Sequence, residues 1–197
     1  MLGGAAHSQL IGQGTQVAGT PLGYNESSKG PPTLTFNNSF AIFGGALEAS
    51  PSKEWRLGFE YQHYAYSETN AFGNTINILA SGVPLGATDG PGFGWRDQNV
   101  YKFGVQYLPN PGVVLRLGTS YATSVMPQSQ TLFGALAPAT PRWNFCAGLT
   151  LGIDADSELS MMLAGTEHRT IRGRDSIPAP LGGGEADIDF QGVNFGV

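Results

Sequence analysis

Lys102 and Arg116 are the side chains of this chain best placed to act on a ligand. Each stands among small or polar residues in a stretch where apolar and polar side chains alternate. The two therefore project to one polar side of neighbouring strands, where they can receive a carboxylate. Arg96, in Trp95-Arg96-Asp97, is a third candidate. Either it meets an anionic head group, or it neutralises Asp97 while the indole anchors a loop. Covalent and metal chemistry find less support. His7, His63 and His168 are scattered with no metal-ligand spacing. Asp154, Asp156 and Glu158 alternate across a turn without making a calcium loop. The glycines between Gly82 and Gly94, and the run Gly182-Gly183-Gly184, lack the strand–turn–helix setting of a nucleotide site. Asp97, Ser120 or Ser124, and His168 are the raw material of a hydrolytic triad, but no spacing brings them together. The single cysteine, Cys146, allows neither an internal disulfide nor a cysteine metal cluster. The reading assigns no catalytic residue, no metal and no cofactor.

The elements that position these residues are strands. Candidate strands cover 40–49, 55–67, 99–108, 113–123, 143–153, 157–170 and 187–197, separated by gaps of 5, 31, 4, 19, 3 and 16 residues. Short and long connections thus alternate, as in an antiparallel barrel with tight turns at one end and large loops at the other. Trp55, Leu57, Phe59 and Tyr61 alternate with Arg56, Gly58, Glu60 and Gln62, a two-residue period. The pattern recurs in Tyr101 to Tyr107, and across Pro109-Asn110-Pro111-Gly112 in Val113 to Tyr121. It returns in Trp143 to Leu151 and, blurred by Met162, in Leu159 to Leu163. The last strand changes phase between Phe190 and Val193, which a bulge near Gln191-Gly192 reconciles. Residues 1–39, with Gly30-Pro31-Pro32, read as an irregular loop or a truncated remnant, and 40–197 as the barrel portion.

Composition agrees. Only 13% of residues are charged while Gly numbers 29, and the polar face carries Gly, Ser, Asn, Gln and Thr in place of the Lys and Glu of a water-facing sheet. Such a face suits a crowded, hydrated interior in which Arg56, Glu60, Lys102 and Arg116 pair with one another. The net charge of −5 excludes nucleic acid as a partner. No apolar run approaches the roughly 18 residues of a spanning helix, whereas the candidates near ten residues match tilted membrane strands. The N-terminus does not read as a signal peptide. Trp55 and Trp143, with Tyr61, Tyr64, Tyr66, Tyr101, Tyr107 and Tyr121, fall at strand ends or nearby and mark two aromatic girdles. The fold class is all-β, an antiparallel transmembrane β-barrel present as a partial barrel of about seven strands, with free edges at 40–49 and 187–197.

From Gly82 onward the sequence resembles the outer-membrane transport family of long-chain fatty acid and aromatic hydrocarbon channels, the FadL family. The resemblance rests on the run GPGFGWRDQNVYKFGVQY from Gly90 to Tyr107, then LRLGTSY from Leu115, LFGALAPA from Leu132 and SELS from Ser157, and covers roughly 55–197. It implies a barrel of about twice this number of strands with an N-terminal hatch, of which this chain is similar to the C-terminal half. It further implies a bacterial outer-membrane location and transport of a hydrophobic small molecule without chemistry. Implied partners are outer-membrane lipid, lipopolysaccharide and the barrel assembly machinery, with a monomer as the working state. Lys102, Arg116 and Arg96 are then substrate-binding residues. The alternatives are a lipase-like barrel enzyme and a structural or adhesive barrel. In this topology 50–54, 109–112 and 154–156 are periplasmic, and 68–98, 124–142 and 171–186 lie outside.

Overall fold

The computed structural model describes residues 42–138, 140–154 and 156–197, together with the backbone of His7–Ile11. The strands are β1 (His7–Ile11), β2 (Ile42–Ala49), β3 (Trp55–Tyr64), β4 (Gln98–Asn110), β5 (Val113–Ala122), β6 (Trp143–Gly152), β7 (Glu158–Thr166), β8 (Arg169–Ile171), β9 (Ile188–Phe190) and β10 (Val193–Gly196). Eight of them form one antiparallel sheet in the order β1-β2-β3-β4-β5-β6-β7-β10, while β8 and β9 pair as a small separate ladder. The large sheet does not close, so it is a partial barrel. Helix is confined to short turns, including α1 (Asn70–Gly73) and α2 (Thr131–Gly134). No helix among the described residues is long and apolar enough to cross a membrane.

Register explains how the alternation becomes two faces. Leu57 pairs with Val105, and Phe59 with Phe103; Leu117 pairs with both Val105 and Ala147, and Ala147 with Leu163. A strand's side chains point alternately to opposite faces, so these residues share one surface. That surface is bare: Leu117 is 62% exposed, Phe145 56%, Leu163 54% and Phe103 50%. A contiguous apolar sheet face of this kind is a liability in water and matches lipid.

Aromatic rings bound the apolar band. Tyr61, Tyr101, Tyr121 and Trp143 stand opposite one another in a single row across β3 to β6, with neighbouring ring centroids 5.3, 6.5 and 4.8 Å apart. At the other end Trp55 stacks on Tyr107 at 4.4 Å. Six residues of strand separate the rows, about 20 Å along the chain at ~3.4 Å per residue. Two of the expected girdle residues lie elsewhere. Tyr64 donates from its hydroxyl to Gln62 Oε1 on the polar face, and Tyr66 packs inside the loops.

The turns follow from their residues. In the β4–β5 hairpin Asn110 pairs with Val113, so Pro111 and Gly112 make the reversal, and Gly112 has φ of +81°. Proline presets the first central φ of such a turn, and glycine alone adopts the second without strain. A register shift between Tyr107 and Asn110 precedes it.

Several boundaries differ from expectation. β3 stops at Tyr64, where a 3₁₀ turn over Tyr66–Glu68 leads into the first long loop. β7 stops at Thr166, and Arg169–Ile171 leaves the large sheet as β8. The expected last strand divides at Gln191–Gly192: Ile188–Phe190 joins β8, and Val193–Gly196 returns to β7. The change of hydrophobic phase there marks a change of sheet, not a bulge within one strand. Thr166 holds the junction, donating from its backbone N–H to Gly192 O at 2.9 Å and accepting the Gly192 N–H at 2.8 Å. Within the stretch expected to be irregular, His7–Ile11 pairs with β2, so the sheet edges are β1 and β10, and β2 is interior. The rest of 1–39 lies outside the described residues.

Candidate functional site

The polar face carries a trough. Gly58, Gly104, Gly118, Cys146 and Ala164 pair successively across β3 to β7, forming a floor without bulky side chains. One neighbouring row holds Glu60, Lys102, Ser120 and Asn144; the other holds Arg56, Gln106, Arg116 and Gly148. A cavity of about 570 Å³ lies along this floor, bordered by Glu60, Lys102, Ser120 and Asn144. Cys146 rests over Gly118, where an added Cβ would meet its sulfur at 2.7 Å.

Lys102 and Arg116 therefore flank the same trough from opposite sides, as their alternation required. Lys102 Nζ lies 3.3 Å from Glu60 Oε2. Arg116 has no ion-pair partner among the described residues; its Nε donates to Gln106 Oε1 at 3.1 Å and its Nη1 to Thr150 Oγ1 at 2.7 Å. Thr150 in turn shares a hydrogen bond with Ser160 at 2.8 Å. Of the four charges expected to pair among themselves, only Glu60 and Lys102 do so. Arg116 is held by neutral partners.

Arg96 is not with them. It lies in a cap formed by the three long loops, with Trp95, Val125, Met126, Ile171 and Ile188 as a small core and Tyr66, Phe72 and Phe93 packed against it. Trp95 stacks on Phe72 at 5.5 Å and meets Tyr66 edge-on at 5.2 Å, so the indole is the loop anchor. Arg96 and Asp97 do not neutralise each other, however. Asp97 Oδ1 accepts from the Ser67 backbone N–H at 3.0 Å and the Ser67 hydroxyl at 2.8 Å. These donors, the backbone one foremost, hold the Asp97 carboxyl below the usual carboxylate range. Burial, helped by neighbouring Tyr64, pushes the Tyr66 phenol up to about 12.

Sequence reasoning missed the residue that ties the loops together. Gln130, 5% exposed, accepts the Ile76 N–H on Oε1 at 2.9 Å and donates from Nε2 to Thr75 Oγ1 at 2.8 Å. Beside it Thr131 donates to Ala186 O at 2.6 Å, reaching the third loop. Gly94, at φ +63°, packs against the Gln130 amide, leaving no room for a Cβ. The sequence offers only a polar residue in a polar loop there, with no periodicity to mark it.

The hydrolytic candidates separate. His168 Nε2 bonds Asp189 Oδ1 at 2.5 Å, Asp97 is held by Ser67, Ser120 receives the Asn144 amide, and Ser124 receives Arg169. His63 Nδ1 lies 2.8 Å from Asn99 Oδ1, and its ring stacks on Phe43 at 4.7 Å. No group of three metal-ligating side chains occurs among the described residues.

An antiparallel sheet with a lipid-type face, aromatic rows at both ends, a small-residue polar face and connections sorted by length defines the transmembrane β-barrel class, here as an unclosed sheet. Its solved structural neighbours are TodX channels. The crystal structure of the P. putida toluene transporter TodX matches 81% of this chain at a TM-score of 0.54 and 16% identity. A deltaS2 mutant of the TodX monoaromatic hydrocarbon channel matches 68% of it at 0.47 and 18% identity. The chain spans 34% of the first of these structures and 31% of the second. No family model matches the sequence, and neither does any curated protein.

Proposed function

We propose that this chain forms part of an outer-membrane channel for hydrophobic small molecules, long-chain fatty acids or aromatic hydrocarbons. The observation that carries the reading is the trough of small residues on the polar face, flanked by Lys102 and Arg116 and set below a cap of interlocked loops. A hydrophobic solute needs a path shielded from water, not a reaction, and a fatty acid needs in addition a cation for its carboxylate. Lys102 and Arg116 supply that cation from either wall; a hydrocarbon uses the floor alone. The TodX-like fold supports the channel reading, and the hydrolytic candidates His168, Asp97 and Ser124 each bond other residues.

The test compares binding of one fatty acid and one aromatic hydrocarbon to the full-length protein and its Lys102→Gln/Arg116→Gln variant. The fatty acid should weaken about tenfold or more, as loss of charge-assisted hydrogen bonds of ~1.5–3 kcal/mol implies, while the hydrocarbon is retained. Equal losses for both ligands would indicate a change of pore shape and remove the carboxylate assignment.

A further inference from the structure

The structure assigns a phosphate-binding site to the loop cap, formed by Arg96, Arg169 and Arg172. The three line one cavity of about 570 Å³ with Ser124, Gln128 and Thr170, and no carboxylate borders it. The whole chain has 10 Lys and Arg against 15 Asp and Glu. Gathering three guanidiniums in one cavity whose lining holds no acid runs against that balance.

Two parts of the site are fixed, the Arg169 guanidinium and the Arg96 backbone. Arg169, half-buried in β8, donates from Nη1 to Thr140 O at 2.9 Å and from Nη2 to Ser124 Oγ at 3.3 Å. The Arg96 backbone is pinned by its N–H to Val125 O at 2.8 Å. Among the described residues, neither Arg96 nor Arg172 has an ion-pair partner. Burial, with Arg142 nearby, lowers the Arg169 pKa against a smaller opposing pull from Glu167.

Charge and lining select the ligand. A carboxylate would leave two of three positive charges unmatched, whereas a phosphate monoester carries about −1.5 to −2 near neutral pH and offers several acceptor oxygens. The guanidinium fork suits such an anion. A fatty acid would also need apolar lining for its tail. The apolar side chains at the cavity include Met126 and Ile171, which are 4% and 7% exposed and committed to the loop core. The phosphate can belong to a soluble molecule or to a lipid head group beside the cap.

The experiment uses the full-length protein. Inorganic pyrophosphate is titrated into protein in uncharged detergent, following tryptophan fluorescence, since Trp95 adjoins Arg96. In parallel, the protein is reconstituted in phosphatidylcholine bilayers with and without phosphatidic acid, and phosphatidic acid retention is measured. Arg96→Gln/Arg172→Gln removes two charges that make no ion pair among the described residues, and Arg96→Lys/Arg172→Lys keeps charge without the fork. Saturable pyrophosphate binding assigns a soluble source, and phosphatidic acid retention alone assigns a head group. In either case the Gln variant should bind at least tenfold more weakly, the Lys variant less so, with hydrocarbon binding unchanged. Unchanged binding in the Gln variant, binding of neither probe, or decanoate binding as tightly as pyrophosphate would overturn the assignment.

Discussion

Asp97 fastens the far end of the first long loop to its beginning, taking both the backbone N–H and the hydroxyl of Ser67. The bonds are stronger to the carboxylate than to the neutral acid, and the folded pKa lies below the unfolded one. Their contribution is therefore complete above the unfolded carboxyl value of about 3.9 and disappears as pH falls through the lower folded value. Exchange of the Ser67 amide should stay slow at neutral pH and accelerate only in strong acid. Asp97→Asn should abolish that acid step; an identical step in the variant would disprove the linkage.

Trp95→Ala should loosen the cap without opening the sheet. Truncating a buried Trp costs about 3–5 kcal/mol, and here the loss falls on Phe72, Phe93 and Tyr66. Limited proteolysis should then cut within 65–97, while the strands keep their resistance to heat in detergent. Melting of strands and loops together would show that cap and sheet form one cooperative unit.

Gln130→Leu keeps volume but leaves the buried Ile76 N–H without its partner, while Thr75 Oγ1 keeps the Asn77 N–H. Each buried group left unsatisfied costs about 1–3 kcal/mol. Amide exchange at Ile76 should quicken about 5- to 150-fold, with the Ala186 amide affected less because the Ser176 hydroxyl accepts its N–H.

Gly44→Ala should part β2 from β3, since an added methyl collides with the Tyr61 carbonyl, a rigid backbone atom. A cost of about 1–3 kcal/mol is expected from overpacking. Heat-dependent gel migration of the folded protein should shift to lower temperature, and a wild-type profile would place that contact in error.

The sheet was legible because its code is local. Alternation of Trp55, Leu57, Phe59 and Tyr61 fixes which face each side chain takes, and Pro111-Gly112 fixes where the chain turns. Register then carries that information across the sheet, so Lys102 and Arg116 fall on one face. The cap was not legible for the opposite reason. Gln130 meets Ile76 across 54 positions, and Arg169 meets Ser124 across 45. Such contacts leave no period in the sequence. The short strands β8 and β9 were absorbed into longer runs because Arg169–Ile171 and Ile188–Phe190 have the right residues for strands but different partners.

The floor of the trough also sets how the polar face can change over evolutionary time. At Gly58 an added Cβ would meet nothing within 4 Å, and at Gly104 only the Leu117 carbonyl at 4.0 Å, whereas at Gly118 the Cys146 sulfur stands in the way. The bore can thus be narrowed one methyl at a time from the β3–β4 side, with strand pairing and lipid face untouched, while the β5–β6 side is locked. For the channel proposed above, selectivity for molecular width becomes a quantity that single substitutions adjust in small steps.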